Sequence, residues 1–298
     1  MTDVSAASTP PPARLMPLRA RGRTRLAIPA QSRWIPALGW QPIASSEMHL
    51  CSHYYPLAIR FSRGLPLLGV ILDEAYLTRP LVDAAGAWQG GYTPMAVRTF
   101  PFQATGRGDD PFDDLVVPAE TSLLSADEGI PLCDDSAAPS NHLRTIHRLA
   151  RQLLDSRRSL AAALDHLMIA GLLTALPAPP NRPPQAPASR LFSIDRARFA
   201  ELEPASFAAM ARHRFASVDI AVACLFSQHL LRTECQPRST RTAFSAPAAG
   251  PRAALDFLGM EDIAIDDGDL FSLGDLEAVH GDLDNPGITA ADLSETSE

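Results

Sequence analysis

Between Trp34 and Val117 every apolar run is cut by Gly or Pro before it outgrows a β-strand: "YPLAIRF", "LPLLGVIL", "AYLTRPLV", "DLVVPAE". Runs of this length, bounded by turn residues, predict strands rather than helices. The segments joining them are too short for the helical crossovers that parallel strands require, so the pairing is expected to be antiparallel. Prolines inside several runs assign those runs to sheet edges or strand starts, because proline cannot donate to the ladder. The expectation is an irregular, mainly antiparallel β-rich unit over residues 26–135.

The periodicity then changes. After a cap at Ser140 or Asn141, Leu143, Ile146, His147, Ala150, Leu153 and Leu154 recur at helical spacing. A second helix is expected from about Ser159, with Leu160, Leu164, Leu167 and Met168 on one side. Gly171 lies near its end and Pro177 forbids its continuation. The two helices predict an antiparallel hairpin. Residues 177–189, "PAPPNRPPQAPAS", read as a polyproline-type spacer. "LFSIDRARFAEL" reads as a short strand and turn, Pro204 to Arg214 as a helix start, and Val218 to Arg232 as a buried helix. The fold class is therefore α+β: a β-rich N-terminal unit followed by a helical C-terminal unit over residues 136–236.

The two ends differ in composition from this body. Residues 1–25 are rich in Pro, Ala and Arg without apolar periodicity, which predicts a disordered arm with solvated Arg19, Arg21, Arg23 and Arg25. Residues 237–298 form an acidic tail, expected to be disordered. From Ala253 onward it holds 13 Asp and Glu and no Arg, leaving 26 basic against 21 acidic residues elsewhere. A net charge of -8 argues against a general nucleic-acid binder.

All 26 basic residues are Arg, which excludes Schiff-base or P-loop lysine chemistry. The scattered Cys51, Cys133, Cys224 and Cys235 suit a reducing compartment better than a disulfide framework. The N-terminus lacks the apolar core of a secretory signal, and the apolar run "IAVACLF" is far short of a membrane span. A cytoplasmic protein is the expectation.

The candidate site residues cluster in "GAWQGGYTPMAVRTFPF", Gly86 to Phe102. Trp88 and Tyr92 beside Arg98 could bind an anionic or peptide ligand by stacking and bidentate hydrogen bonds. The competing structural reading makes the rings a plug of the β unit and pairs Arg98 with Glu47 or Asp83. "HLCSH" sets His49, Cys51 and His53 at two-residue steps, a weak metal candidate that would need a fourth group such as Glu47. Cys51 with His53, or Ser227 with His229, offers a nucleophile and a base, but neither lies in a nucleophile elbow. No cofactor motif is present, and the Arg-Gly-Asp triplet at Arg107 reads as a surface turn. The "GDL" triplets of the tail miss the spacing of calcium loops.

The order of segments resembles the SapC family of bacterial proteins. The resemblance is carried by "QPIASSEMHLCSHYYPLAIRF", by the Gly86–Phe102 stretch, and by "SADEGIPLCDDSAAPSNHLRTI". It continues through "LDHLMIAGLLTAL", "LFSIDRARFAEL" and "DIAVACLFSQHLLR", from about Arg23 to Arg232. Its most specific part is G-x-W-x-x-x-Y-x-P-x-x-x-R-x-x-P-F. The chain departs from the family pattern at "EAYLTRPLVD", in the Pro-rich insert and in the long tail. The resemblance implies an association with bacterial surface-layer proteins and supplies no catalytic residues. The expected function is a non-catalytic accessory protein with a protein partner, linked to surface-protein assembly or export, with surface association a further implication. The alternative is an enzyme or enzyme subunit binding an anionic or peptide ligand around Trp88, Tyr92 and Arg98.

Overall fold

The computed structural model describes residues 14–237 apart from 23, 63, 181–189 and 212–215. Its strands are β1 (Leu15–Pro17), β2 (Arg25–Leu26), β3 (Trp40–Pro42), β4 (Leu57–Ser62), β5 (Leu65–Ile71), β6 (Gln103–Ala104), β7 (Leu115–Pro118), β8 (Leu124–Ser125), β9 (Ile130–Pro131), β10 (Leu173–Ala175) and β11 (Leu191–Ile194). The helices are α1 (Met48–Tyr54), α2 (Met95–Arg98), α3 (Pro111–Asp114), α4 (Asn141–Ile169), α5 (Arg196–Ala200), α6 (Pro204–Ala211) and α7 (Ala216–Ser227). The strands form a five-stranded sheet in the order β10-β11-β4-β5-β3 and two three-stranded sheets, β1-β7-β6 and β8-β2-β9. The strand pairs in these sheets are antiparallel. The α+β class and the antiparallel pairing stand as the sequence implies.

Four sequence expectations change. The two helices of the expected hairpin are one, α4, 29 residues long and capped by Ser140, whose hydroxyl accepts from the Leu143 N–H. The polar stretch "DSRRS" hid this continuity, but the inward positions run through it without a phase break: Leu143, Ile146, Ala150, Leu153, Arg157, Leu160, Leu164, Leu167. That three-four alternation keeps one side of the helix inward over its whole length.

The Pro-rich insert does not space its flanking segments apart. It connects β10 to β11, which pair directly, Leu173 with Ile194 and Ala175 with Phe192. The C-terminal half therefore contributes two strands to the main sheet, and β11 continues that sheet across to β4. "AYLTRPLV" is not a strand. Glu74–Tyr76 form a 3-10 turn capped by Asp73, and Leu77 and Val82 make isolated bridges to Leu231 and Trp88. Finally, Arg14 onward belongs to the fold rather than to a disordered arm. Leu15–Pro17 pair with β7, Leu18 is fully buried, and Arg19 forms ion pairs with Asp110 and Asp113. Residues 1–13 and the acidic tail from 238 on lie outside the described residues.

Two main apolar cores and a small cluster of Ala44, Met95, Ala96 and Leu153 flank α4. The larger joins the five-stranded sheet (Leu57, Ile59, Leu68, Val70, Ile71) to the C-terminal half of α4 and to Ile220, Ala221 and Cys224 of α7. The smaller joins Leu18, Leu26, Phe102, Leu115 and Val117 to Leu143, Ile146 and Ala150 at the other end of α4. In the main sheet Gly69 stands opposite Pro42 on one side and Ala58 on the other. A Cβ there would lie 2.4 Å from the Trp40 indole and 2.3 Å from the Gln41 carbonyl. The Trp40 Nε1–H donates to the Ala58 carbonyl across this floor, at 3.0 Å. Gly69→Ala must therefore displace both the indole and the β3 backbone at Gln41. The expected cost is about 1–3 kcal/mol of unfolding free energy, measured by urea denaturation.

Asp114, with a fully buried side chain, ties the β1-β7-β6 sheet to α4. Its carboxylate accepts from the Thr105 and Arg107 N–H groups, from the Thr105 hydroxyl and from Arg151, and lies 2.8 Å from His147 Nε2. Burial alone would raise its pKa, but the bonds from His147, Arg107, Thr105 and Gly106 together outweigh burial and hold it at about 2. A folded-state pKa below the unfolded value gives stability that is present above about pH 4 and lost as pH falls toward 2. Asp114→Asn is expected to cost about 1–3 kcal/mol near neutrality, by leaving buried donors unpaired. It should also flatten the acid limb of a stability-versus-pH curve between those two values.

Candidate functional site

The Gly86–Phe102 stretch divides into a packed first half and a second half that walls a cleft. In the first half Tyr55 is fully buried, and its hydroxyl lies within hydrogen-bonding reach of the Gly90 and Tyr92 carbonyls. Trp88 stacks on the Tyr55 ring with centroids 6.2 Å apart. Gly90 fills a narrow gap between these side chains, where a Cβ would lie 2.4 Å from the Trp88 ring and 2.4 Å from the Tyr55 hydroxyl. Asp83 does not meet Arg98. It accepts from the Ala87 N–H and the Gln89 side-chain amide and so closes its own loop.

Glu47 is the centre of the packed half. It is 2% exposed, and its carboxylate accepts from the Ala44 N–H at 2.9 Å, the Met95 N–H at 2.9 Å and the Tyr92 hydroxyl at 2.8 Å. The bond to Met95 anchors the start of α2, and the bond to Ala44 closes the turn leading into α1. Arg98 reaches Glu47 only through Tyr92. Its Nη2 donates to the Tyr92 hydroxyl at 3.0 Å, and its guanidinium lies 5.5 Å from that ring centroid. Burial, the bond to Glu47 and its charge all raise the Tyr92 pKa, against the smaller opposing effect of Arg98. Tyr92 therefore keeps its proton and relays between the carboxylate and the exposed guanidinium. Three of the sequence candidates, Glu47, Tyr92 and Arg98, thus form one chain of hydrogen bonds, while Trp88 lies behind it against Tyr55.

"HLCSH" is helical, within α1, so residues two apart point to nearly opposite sides. His49 and His53 are exposed, whereas Cys51 is fully buried and its pKa is pushed up by burial and by the Glu47 charge. The helix thus keeps Cys51 away from both histidines. Among the described residues no three His, Cys, Asp or Glu groups are placed to hold a metal ion. Ser227 is also committed to structure. Its buried hydroxyl accepts from the Leu57 N–H at 2.9 Å and donates to the Cys224 carbonyl at 3.0 Å. His229 instead places Nδ1 2.6 Å from the Phe226 carbonyl. Burial holds the Cys224 thiol up at about 12.

Two features escaped the sequence reading. On α1, Leu50 and Tyr54 are exposed one turn apart; on the adjoining α7, Val222 and Phe226 repeat that spacing, and all four are 44–50% exposed. The rings of His53 and Phe226, 5.0 Å apart, connect the two helices into one face, which His229 extends. The second feature is a cleft of about 330 Å³ between the main sheet, α4 and the Thr99–Ala104 segment, holding Arg60 and Arg157. The clue to Arg157 was its inward position on α4.

A family model described as SapC matches residues 23–233, most of the chain. The chain belongs to the SapC family. Comparisons with curated proteins and with solved structures find no match. The SapC match covers most of both cores, the Glu47 relay, the exposed α1–α7 face and the cleft. Among the described residues of this SapC-family chain, no helix is long and apolar enough to cross a membrane.

The relay generates a test of which candidates hold the fold. Glu47→Gln leaves at least one buried donor facing an amide and is expected to cost about 1–3 kcal/mol in denaturant unfolding. Arg98→Ala, at an exposed position, should stay within about 0.5 kcal/mol of the parent.

Proposed function

We propose that this SapC-family protein is a non-catalytic interaction protein serving the assembly or export of bacterial surface proteins. The observation supporting that reading is the α1–α7 face. Four large apolar side chains on two packed helices stay in contact with water while the core beneath them is closed. Large apolar side chains exposed together on two packed helices mark a place where a partner removes apolar surface from solvent. The exposed rings of Tyr54 and Phe226 are suited to act as anchors. The partner chemistry that fits is an apolar segment of another protein, laid across both helices. The Glu47–Tyr92 relay serves this face by fixing the start of α1 to α2, and Gly91 packs against the Tyr54 ring. In this reading Trp88 and Tyr92 support the face from behind, and Arg98 is the exposed charge open to a partner.

The test is affinity capture from the native bacterium with the parent chain and with Leu50→Asp/Phe226→Asp, both checked for fold by circular dichroism. A surface-layer or export component should enrich with the parent and fall at least tenfold with the double variant. Undiminished enrichment in the variant, or no enriched protein with the parent, would overturn the reading.

A further inference from the structure

We propose that the cleft between β4, α4 and the Thr99–Ala104 segment binds a compact organic anion, a phosphate or carboxylate gripped by Arg60 and Arg157. This goes beyond the partner face and does not depend on it.

Arg157 occupies an inward position of α4, between Leu153 and Leu160, where the rest of the stripe is apolar. Its Nε is buried and has no hydrogen-bond partner. Arg60 enters from β4 and sits over the Trp40 indole, 4.2 Å from guanidinium carbon to ring centroid. Among the described residues neither guanidinium has a carboxylate partner, and no Asp or Glu lines the cleft. Burial lowers the pKa of both arginines, and the Arg157 charge lowers that of Arg60 further, so two unneutralised cations face one partly dry space. Buried charges are ordinarily paired, because taking them from water is costly. Arg151, partly buried, follows that rule: it meets the fully buried Asp114. The Arg60–Arg157 pair lacks a negative partner from the described residues, and the space beside it can admit one.

The surroundings define the ligand class. A guanidinium held over an indole has already lost part of its rotational freedom before a ligand arrives. The guanidinium forks of Arg60 and Arg157 match the oxygens of a phosphate or carboxylate. Gln41 and Gln103 add uncharged polar groups, while Phe100 and Pro101 supply an apolar wall for the carbon part of the ligand. A space of about 330 Å³ suits a small molecule. The wall comes from the second half of the Gly86–Phe102 signature, so that stretch has a ligand-facing side as well as a packed one.

The experiment is isothermal titration of the full chain at low ionic strength with pyrophosphate and with citrate, against sodium chloride matched for ionic strength. Saturable one-to-one binding is expected for at least one of the two: pyrophosphate would identify the phosphate class, citrate the carboxylate class. The dissociation constant should rise at least tenfold in Arg157→Met and in Arg60→Gln, and stay unchanged in Arg158→Ala, an exposed neighbour on α4. Without any anion, Arg157→Met should melt at or above the parent temperature, since it removes an unpaired charge while keeping the apolar stem.

Phenylglyoxal labelling of the unmodified parent, mapped by mass spectrometry, keeps the test decisive if a variant fails to fold. The bound anion should protect Arg60 and Arg157. Heats from both anions indistinguishable from chloride, or affinity undiminished in both arginine variants, would overturn the proposal. So would labelling of Arg60 and Arg157 unchanged by either anion. Leu50→Asp/Phe226→Asp should keep anion binding intact, so loss of one reading is distinguishable from loss of the other.

Discussion

The fold depends on one side of one helix. α4 spans roughly 43 Å at 1.5 Å per residue. Its inward residues close the smaller core at one end and the larger core at the other. Neither the β1-β7-β6 sheet nor the five-stranded sheet covers its apolar face alone; each is completed against a different stretch of this helix. The apolar contacts of the stripe supply the attraction, and the continuous helical hydrogen bonding keeps its two ends in phase. The cleft lies partway along the helix, where the stripe exchanges a leucine for Arg157.

Local order was legible in the sequence where it depended on local chemistry. Ser140 caps α4 as its hydroxyl allows, and "LPLLGVIL" and "YPLAIRF" become β5 and β4 because flanking turn residues bound them. The antiparallel class followed from short connections, and the Gly86–Phe102 stretch was recognisable as a family signature. Long-range pairing was hidden. Leu15 and Met16 read as stray apolar residues in an arm because their partners, Pro118 and Val117, lie about a hundred positions away. The Pro-rich insert read as a spacer because composition does not show that its two ends are hydrogen-bonded neighbours.

The candidate site was partly legible, and the errors have physical causes. The signature stretch picked out Tyr92 and Arg98, and Glu47 entered as an acid that Arg98 could pair with; the three do form one hydrogen-bonded chain. The order within it was hidden, since Tyr92 stands between the two charges. A charged residue in the middle of a helix ordinarily signals an exposed face, and that default split α4 into two helices. The same default concealed Arg157. An arginine that preserves the phase of an apolar stripe is a different signal from one that interrupts it, and only the flanking period distinguishes them.

The closing of β11 on β4 bears on how the chain acquires its structure during synthesis. Ile59 pairs with Phe192, and Arg60 with Leu191, across more than a hundred intervening residues. Until those late residues leave the ribosome, β4 presents an open edge of backbone donors and acceptors above an incomplete apolar face. Such an edge is a template for wrong pairing, and distant contacts form slowly because the intervening chain must first be closed into a loop. The early half of the sequence is thus left waiting for the late half. The interval in which the nascent protein is most prone to self-association ends when Leu191–Ile194 add to the sheet.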